Sequence, residues 1–233
     1  MVQVLDREKS LRDRVITIQP TARVERLRQR YLDTKDKAVI YLLRIRTRLW
    51  KETEGQPAVT RHAKAFAAIV REMPINIYPD ELFVGWLFCE PRGSNITWYQ
   101  TLELKDELDT LSTRKIIPFL ISDEDKKELR EEIIPYWLSH FDGGTPRPHW
   151  TAGYEKVLKK GILGVKKDAE ERIARLDLTQ PGDFKKQRFL EGVILALEAA
   201  AEIGNRFAAK ARELAVSEIS SKRKAELLKI AEV

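Results

Sequence analysis

The chain has 233 residues, 42 Lys plus Arg against 36 Asp plus Glu, 43% hydrophobic residues and a single cysteine. That apolar fraction suits a globular core, and 11 Gly with 10 Pro are too few for a collagen-like or linker-like sequence. Cys89 alone cannot build an intrachain disulfide or a multi-cysteine metal site, and no stretch approaches the roughly 18 apolar residues of a membrane span.

The first residues, Met1 to Ser10, mix Asp6, Arg7, Glu8 and Lys9 with no apolar h-region. A cytoplasmic, reducing setting is expected, and residues 1–20 read as an N-terminal arm. Net charge is +6 with mixed signs along most of the chain, and no nucleic-acid-binding motif accompanies it. Neither a nucleic-acid nor a membrane partner is therefore expected. A basic helical binder would have to use Arg23, Arg26, Arg28, Arg30, Arg44 and Arg48, with a steep salt dependence.

Thr21 is positioned to cap a helix whose apolar residues Val24, Leu27 and Tyr31 recur three and four apart. A second helical pattern runs from about Asp36 to Lys51, with Val39, Leu42, Leu43 and Leu49 as its buried stripe and Arg44 and Arg48 exposed. Thr53 to Pro57 breaks it. A third helix carries Val59, His62, Ala63, Phe66, Ile69, Val70 and Met73 on one face, and Pro74 ends it.

Pro74 to Glu81 alternates apolar and polar residues between two prolines, and Leu82 to Cys89 is continuously apolar apart from Gly85. The second run reads as a strand buried on both faces. Arg92 to Asn95 reads as a turn, and Ile96 to Arg114 as mixed loop and short helix. Ser122 with Asp125 suits a capping box that opens a helix through Glu132, which Pro135 limits or kinks.

Phe141 to Trp150 is the one stretch dense in Gly and Pro. After it, Ile162, Val165, Ala169, Ile173 and Leu176 keep helical spacing up to Asp177, and a break at 179–183 precedes the longest helix, about Phe184 to Leu214. Its alanines, Ala199 to Ala201, Ala208, Ala209 and Ala211, permit close helix approach. From Lys222 onward an amphipathic pattern continues to Val233 with no Gly cap or Pro stop, which is unusual for a complete domain.

Chemistry-bearing residues are sparse. The histidines are His62, His140 and His149, without ligand spacing, and no glycine-rich phosphate loop is present. Zinc hydrolase, dinucleotide-binding and P-loop chemistry are excluded on that basis. His62 is expected in the core. His149 sits beside Trp150 in the Gly/Pro-rich loop, where a polar group can face a pocket. Cys89, closing an apolar run, is expected to be inert. Asp80 and Glu81 are adjacent at a strand entrance, so they point apart and a loop-ordering role is expected rather than a shared proton.

Several segments, in order, resemble the N-terminal part of the pyruvate formate-lyase-like glycyl radical enzymes: Lys51-Glu52-Thr53-Glu54-Gly55-Gln56-Pro57, Pro74 to Gly85, and His149 with Tyr154 to Gly161. Leu176 to Thr179 and Asn205-Arg206-Phe207-Ala208 fit the same family, so the likeness covers nearly all of residues 21–233. It implies a mainly α chain with a few strands (α+β), forming the N-terminal helical layer of a ten-stranded α/β barrel, in an incomplete domain.

The same resemblance implies thiyl-radical hydrogen abstraction that makes or cleaves C–C, C–O or C–N bonds. The radical-bearing glycine and the catalytic cysteine belong to regions beyond Val233, so no catalytic residue is expected in this chain and activity alone is not expected. His149 matches a substrate-pocket histidine of the dehydratase-like branch, although it is flanked here by Pro148 and Trp150. No cofactor or metal is expected on this chain. The glycyl radical of the full enzyme is implied to be installed by an S-adenosylmethionine iron-sulfur activating enzyme. Further implied partners are the remainder of the enzyme or a second subunit, a small-molecule substrate, and other copies in a homo-oligomer. The alternative is a non-catalytic helical interaction protein derived from the family.

Overall fold

A computed structural model describes residues 19–85, 90–97, 101–116, 118–140 and 153–232. Cys89 and the loop that carries His149 lie outside these described residues, as does most of the N-terminal arm. The elements in chain order are α1 (Ala22–Asp33), β1 (Lys37–Val39), α2 (Tyr41–Glu52), α3 (Ala58–Glu72), β2 (Gly93–Asn95) and α4 (Thr101–Leu104). They continue with α5 (Asp123–Glu128), a π-helical turn (Leu129–Ile133), α6 (Ile134–His140), α7 (Tyr154–Ile173), α8 (Asp183–Ser217) and α9 (Ser221–Ile230). The described chain is mainly helical, as expected, with a two-stranded parallel sheet.

Two of the expected caps form. Thr21 Oγ1 accepts from the Val24 N–H at 3.3 Å and Ser122 Oγ from the Asp125 N–H at 3.0 Å, each satisfying a donor that has no partner within its helix. The corner between α2 and α3 also follows its sequence. Gly55 takes a left-handed φ of 79°, Pro57 sits at the start of α3, and Thr53 Oγ1 closes the end of α2 by donating to the Leu49 carbonyl at 2.5 Å.

The core has an α2–α6 side and an α3–α8 side. Ile40, Leu43, Trp50, Ala65, Leu111, Leu129, Ile133 and Trp137 form the first. Leu42, Ile69, Met73 and Phe207 form the second, continued by Ala67, Val70 and Ala199. Close approach of α8 to α3 depends on small side chains: Ala199 is fully buried, and a Cβ at Gly192 would lie 3.4 Å from Val59 Cγ2 and 3.5 Å from Ala63 Cβ. A bidentate Arg71–Glu202 pair, at 2.6 and 2.7 Å, joins the same two helices at the rim.

Several expectations are corrected. The helix expected from Asp36 begins only at Tyr41, because Lys37–Val39 pairs in parallel with Gly93–Asn95, the stretch read as a turn. On its other side β1 bridges Leu120, with Ala38 N–H donating to the Leu120 carbonyl at 2.8 Å. Leu82 to Gly85 is not a strand, and Phe83 is 92% exposed. The apolar run there finds no strand partner among the described residues. His62 is exposed, with its ring edge against Trp50 at 4.6 Å, because the buried face of α3 centres on Ala63, Ala67 and Val70.

Pro135 does not stop its helix. The preceding turn widens so that the Ile134 N–H reaches the Leu129 carbonyl, and the chain continues helically to His140. Similarly, α7 begins at Tyr154, earlier than its apolar spacing indicated, with a non-helical break at Gly161 (φ 69°). The stripe of α1 at Val24, Leu27 and Tyr31 enters no core, since no residue of α1 is buried. No helix among the described residues is long and apolar enough to cross a membrane.

Candidate functional site

The described part of the molecule places three regions, two of them marked by the sequence. The first is the Pro79-Asp80-Glu81 turn. Asp80 adopts a left-handed φ of 71°, and its carboxylate is gripped by Arg26 through Nε (3.0 Å) and Nη2 (2.5 Å). Arg30 of the same helix donates to the Pro79 carbonyl at 2.5 Å and stands 3.7 Å from Asp80. Glu81 accepts from the Tyr78 N–H at 2.8 Å. From the far end of the chain, Arg223 donates to the Glu81 carbonyl at 2.7 Å and the Tyr78 carbonyl at 3.2 Å.

Asp80 and Glu81 thus order a loop, each through a different partner, Asp80 through Arg26 and Glu81 through the Tyr78 N–H, although no strand begins beside them. The Arg26 hydrogen bond, with the charges of Arg26 and Arg30 behind it, holds the Asp80 carboxyl below the usual carboxylate range against the effect of burial. Hydrogen bonds from Arg23 and Arg223 lower Glu226 likewise. The arginines that a basic binding face would need are largely engaged inside the molecule: Arg23 with Glu226, Arg26 with Asp80, Arg44 with Asp125 and Glu128, and Arg48 with Glu72.

The second region is an aromatic platform at the end of α6, from which the loop carrying His149 departs. Trp137 Nε1 donates to the buried Thr47 Oγ1 at 2.8 Å, and Thr47 Oγ1 donates in turn to the Leu43 carbonyl at 2.8 Å. Trp50 lies 5.7 Å from Trp137, with the Arg61 guanidinium 4.3 Å above its ring. His140 stacks on Tyr136 at 4.1 Å, and burial raises the Tyr136 phenol. Beyond the loop, the chain re-enters the described structure at Gly153, whose carbonyl accepts from the Lys156 N–H at 3.1 Å to open α7. The sequence reading did not single out this platform; the Lys51–Pro57 motif, which begins directly after Trp50, is the signal that could have located it.

The third region is Asn205-Arg206-Phe207-Ala208 on α8. Phe207 is buried in the second core cluster, and Arg206 donates to the Val70 and Met73 carbonyls at the end of α3. On α2, burial draws the Arg46 guanidinium down to about 10. No group of three or more His, Cys, Asp or Glu able to hold a metal exists among the described residues. The described motifs hold the helices and the 78–81 turn in place through hydrogen bonds and packing, and the candidate binding residue, His149, lies outside the described residues, between α6 and α7 in the sequence.

Comparison with known proteins agrees with these motifs. The chain is 34% identical to isethionate sulfite-lyase from Desulfovibrio desulfuricans over 90% of its length, and 28% identical to trans-4-hydroxy-L-proline dehydratase from Clostridioides difficile over 90%. Among solved structures it is similar to the glycerol-bound form of the B12-independent glycerol dehydratase from Clostridium butyricum, with a TM-score of 0.84 and 32% identity over 92% of the chain. A glycyl radical enzyme from Archaeoglobus fulgidus gives a TM-score of 0.80 at 29% identity over 90%. The chain spans 30% of the length of those two curated relatives and 30 to 31% of those two solved chains. Residues 17–233 match the family described as pyruvate formate lyase-like, and the chain belongs to that family of glycyl radical enzymes.

Proposed function

We propose that this chain supplies the N-terminal helical layer of a ten-stranded glycyl radical barrel that eliminates a leaving group from a small hydroxylated molecule. The observation that carries the reading is its likeness to the glycerol-bound dehydratase, with a TM-score of 0.84 at 32% identity. The names of the relatives share a chemistry: loss of water from glycerol or hydroxyproline, and loss of sulfite from isethionate. On this reading the thiyl-forming cysteine and the radical-bearing glycine lie in the portion that the chain does not span, and the chain alone is inactive. The radical is installed by a separate S-adenosylmethionine iron-sulfur activating enzyme, in the cytoplasm, on a homo-oligomer.

In this assignment the chain's own residues position and bind. The clamp on Tyr78 to Glu81 and the platform of Trp50, Trp137 and Tyr136 fix the scaffold, and His149 presents a polar group to the substrate. The test is a chimera in which this chain replaces the matching third of the Clostridium butyricum glycerol dehydratase. After activation it should turn over glycerol, and His149→Ala should lower kcat/KM by roughly a hundredfold or more if the imidazole acts on the substrate as a general acid or base. An active chimera whose kcat/KM is untouched by His149→Ala removes the pocket role.

A further inference from the structure

A groove of about 910 Å³ runs along the outer side of α8. Its floor contains Ala201, Gly204 and Ala208, three and four residues apart and so on one helix face. Leu82 and Phe83 line one side and Ile230 of α9 the other. The floor is open at its middle: Gly204 is exposed, a Cβ built on it would meet no atom within 4 Å, and Phe83 beside it is 92% exposed, while Ala201 and Ala208 are half-buried. The groove is nevertheless firmly backed. Phe207 of α8 is buried with Leu42, Ile69 and Met73, and Val84 packs against the same cluster.

The rim charges already have partners within the chain. Lys229 pairs with Glu232 at 3.2 Å, and Arg212 donates to the Ala231 carbonyl at 3.0 Å. Recognition here is consequently apolar and by shape. The small floor residues allow another backbone to come as near as closely packed helices do, roughly 8 Å between axes. The chain spans only 31% of the similar glycerol dehydratase, so the like surface in that molecule exists alongside more than twice as much additional chain.

We propose that this groove is the seat of an apolar segment from the portion of a glycyl radical enzyme that the chain does not span, with Phe83 inserted into that portion. The proposal rests on the functional reading above. Gly204 keeps α8 bare for an incoming backbone, and Leu82 and Phe83 are apolar because they complete an interface rather than a strand.

The experiment uses one substitution in two settings. Gly204→Leu in the isolated chain should raise Tm, since leucine is the better helix former and the space above position 204 is open. In the glycerol dehydratase chimera the same substitution should lower Tm and cut turnover by roughly tenfold or more, because the site is then filled. Phe83→Asp should leave the Tm of the isolated chain unchanged and lower that of the chimera. A chimera as stable with Gly204→Leu as without it overturns the proposal. So does an isolated chain that light scattering finds dimeric and that Phe83→Asp makes monomeric, since the groove would then belong to a second copy. A folded but inactive parent chimera counts against the catalytic reading alone, because the Tm comparison still decides the groove. A parent chimera without cooperative melting overturns both.

Discussion

Arg206 donates from Nη2 to the Met73 carbonyl at 2.6 Å and from Nη1 to the Val70 carbonyl, so a side chain of α8 caps the C-terminal end of α3. The last carbonyls of a helix lack partners within it, and a cation there also complements the helix dipole. Arg206→Met should destabilise the chain by about 2–4 kcal/mol, since hydrogen bonds from a charged donor are lost while the carbonyls stay partly buried. Arg206→Lys should recover only part of that. Urea unfolding of the three proteins is the check, and equal midpoints would reject the capping role.

Thr47 and Trp137 form a second testable pair. Thr47→Val keeps the shape but removes the acceptor for the buried indole N–H, an expected loss of about 1–3 kcal/mol. In a cycle with Trp137→Phe, the double variant should lose less than the sum of the singles by about 1 kcal/mol. Additive losses would mean that the hydrogen bond contributes nothing.

The turn at Asp80 gives a pH prediction. Asp80 and Glu226 both have carboxyl pKa values depressed in the folded chain by arginine hydrogen bonds. Their contribution is therefore present above the unfolded carboxylate value, about 4, and is lost as pH falls through the lower folded values. Asp80→Asn keeps a residue that tolerates positive φ but removes the charge. It should be less stable than the parent at neutral pH, and the gap should shrink below about pH 4. Urea midpoints across an acid pH series measure this, and a gap that stays constant with pH would rule out a charge origin.

Gly192 tests how tightly α8 lies on α3. Gly192→Ala places its methyl at ordinary contact distance and gains helix propensity, so it should change stability by no more than about 1 kcal/mol. Gly192→Leu has no room beside Val59 and Ala63 and should cost about 1–3 kcal/mol. Thermal melts separate the two, and an undisturbed Gly192→Leu variant would show that the helices are free to part.

The features legible in the sequence were those written locally. Thr21 and Ser122 announce their caps, Gly55 and Pro57 their corner, and the alanines of α8 a close approach to another helix. The β1–β2 pairing was not legible, because strands this short are specified by backbone partners distant in the chain, with no alternation to read. The position of His62 was misjudged by one helical step, about 100° around α3, which separates Ala63 in the core from an exposed ring against Trp50. Leu82 to Val84 misled for a different reason. An apolar run reports that a surface is to be covered and does not say by what. His149 was singled out by loop chemistry and by resemblance, and the described helices mark where its loop leaves and returns.

The widened turn at Leu129–Ile133 amounts to one residue more than a regular helix would hold. That turn takes up the additional residue locally, so a deletion within it would let the helix close to regular geometry with the part beyond it near its present orientation. A deletion in the regular turns that follow would instead rotate everything after it by about 100° and swing Trp137 away from Thr47. The widened turn is therefore the place in this helix where a residue can be lost without moving the indole from its acceptor.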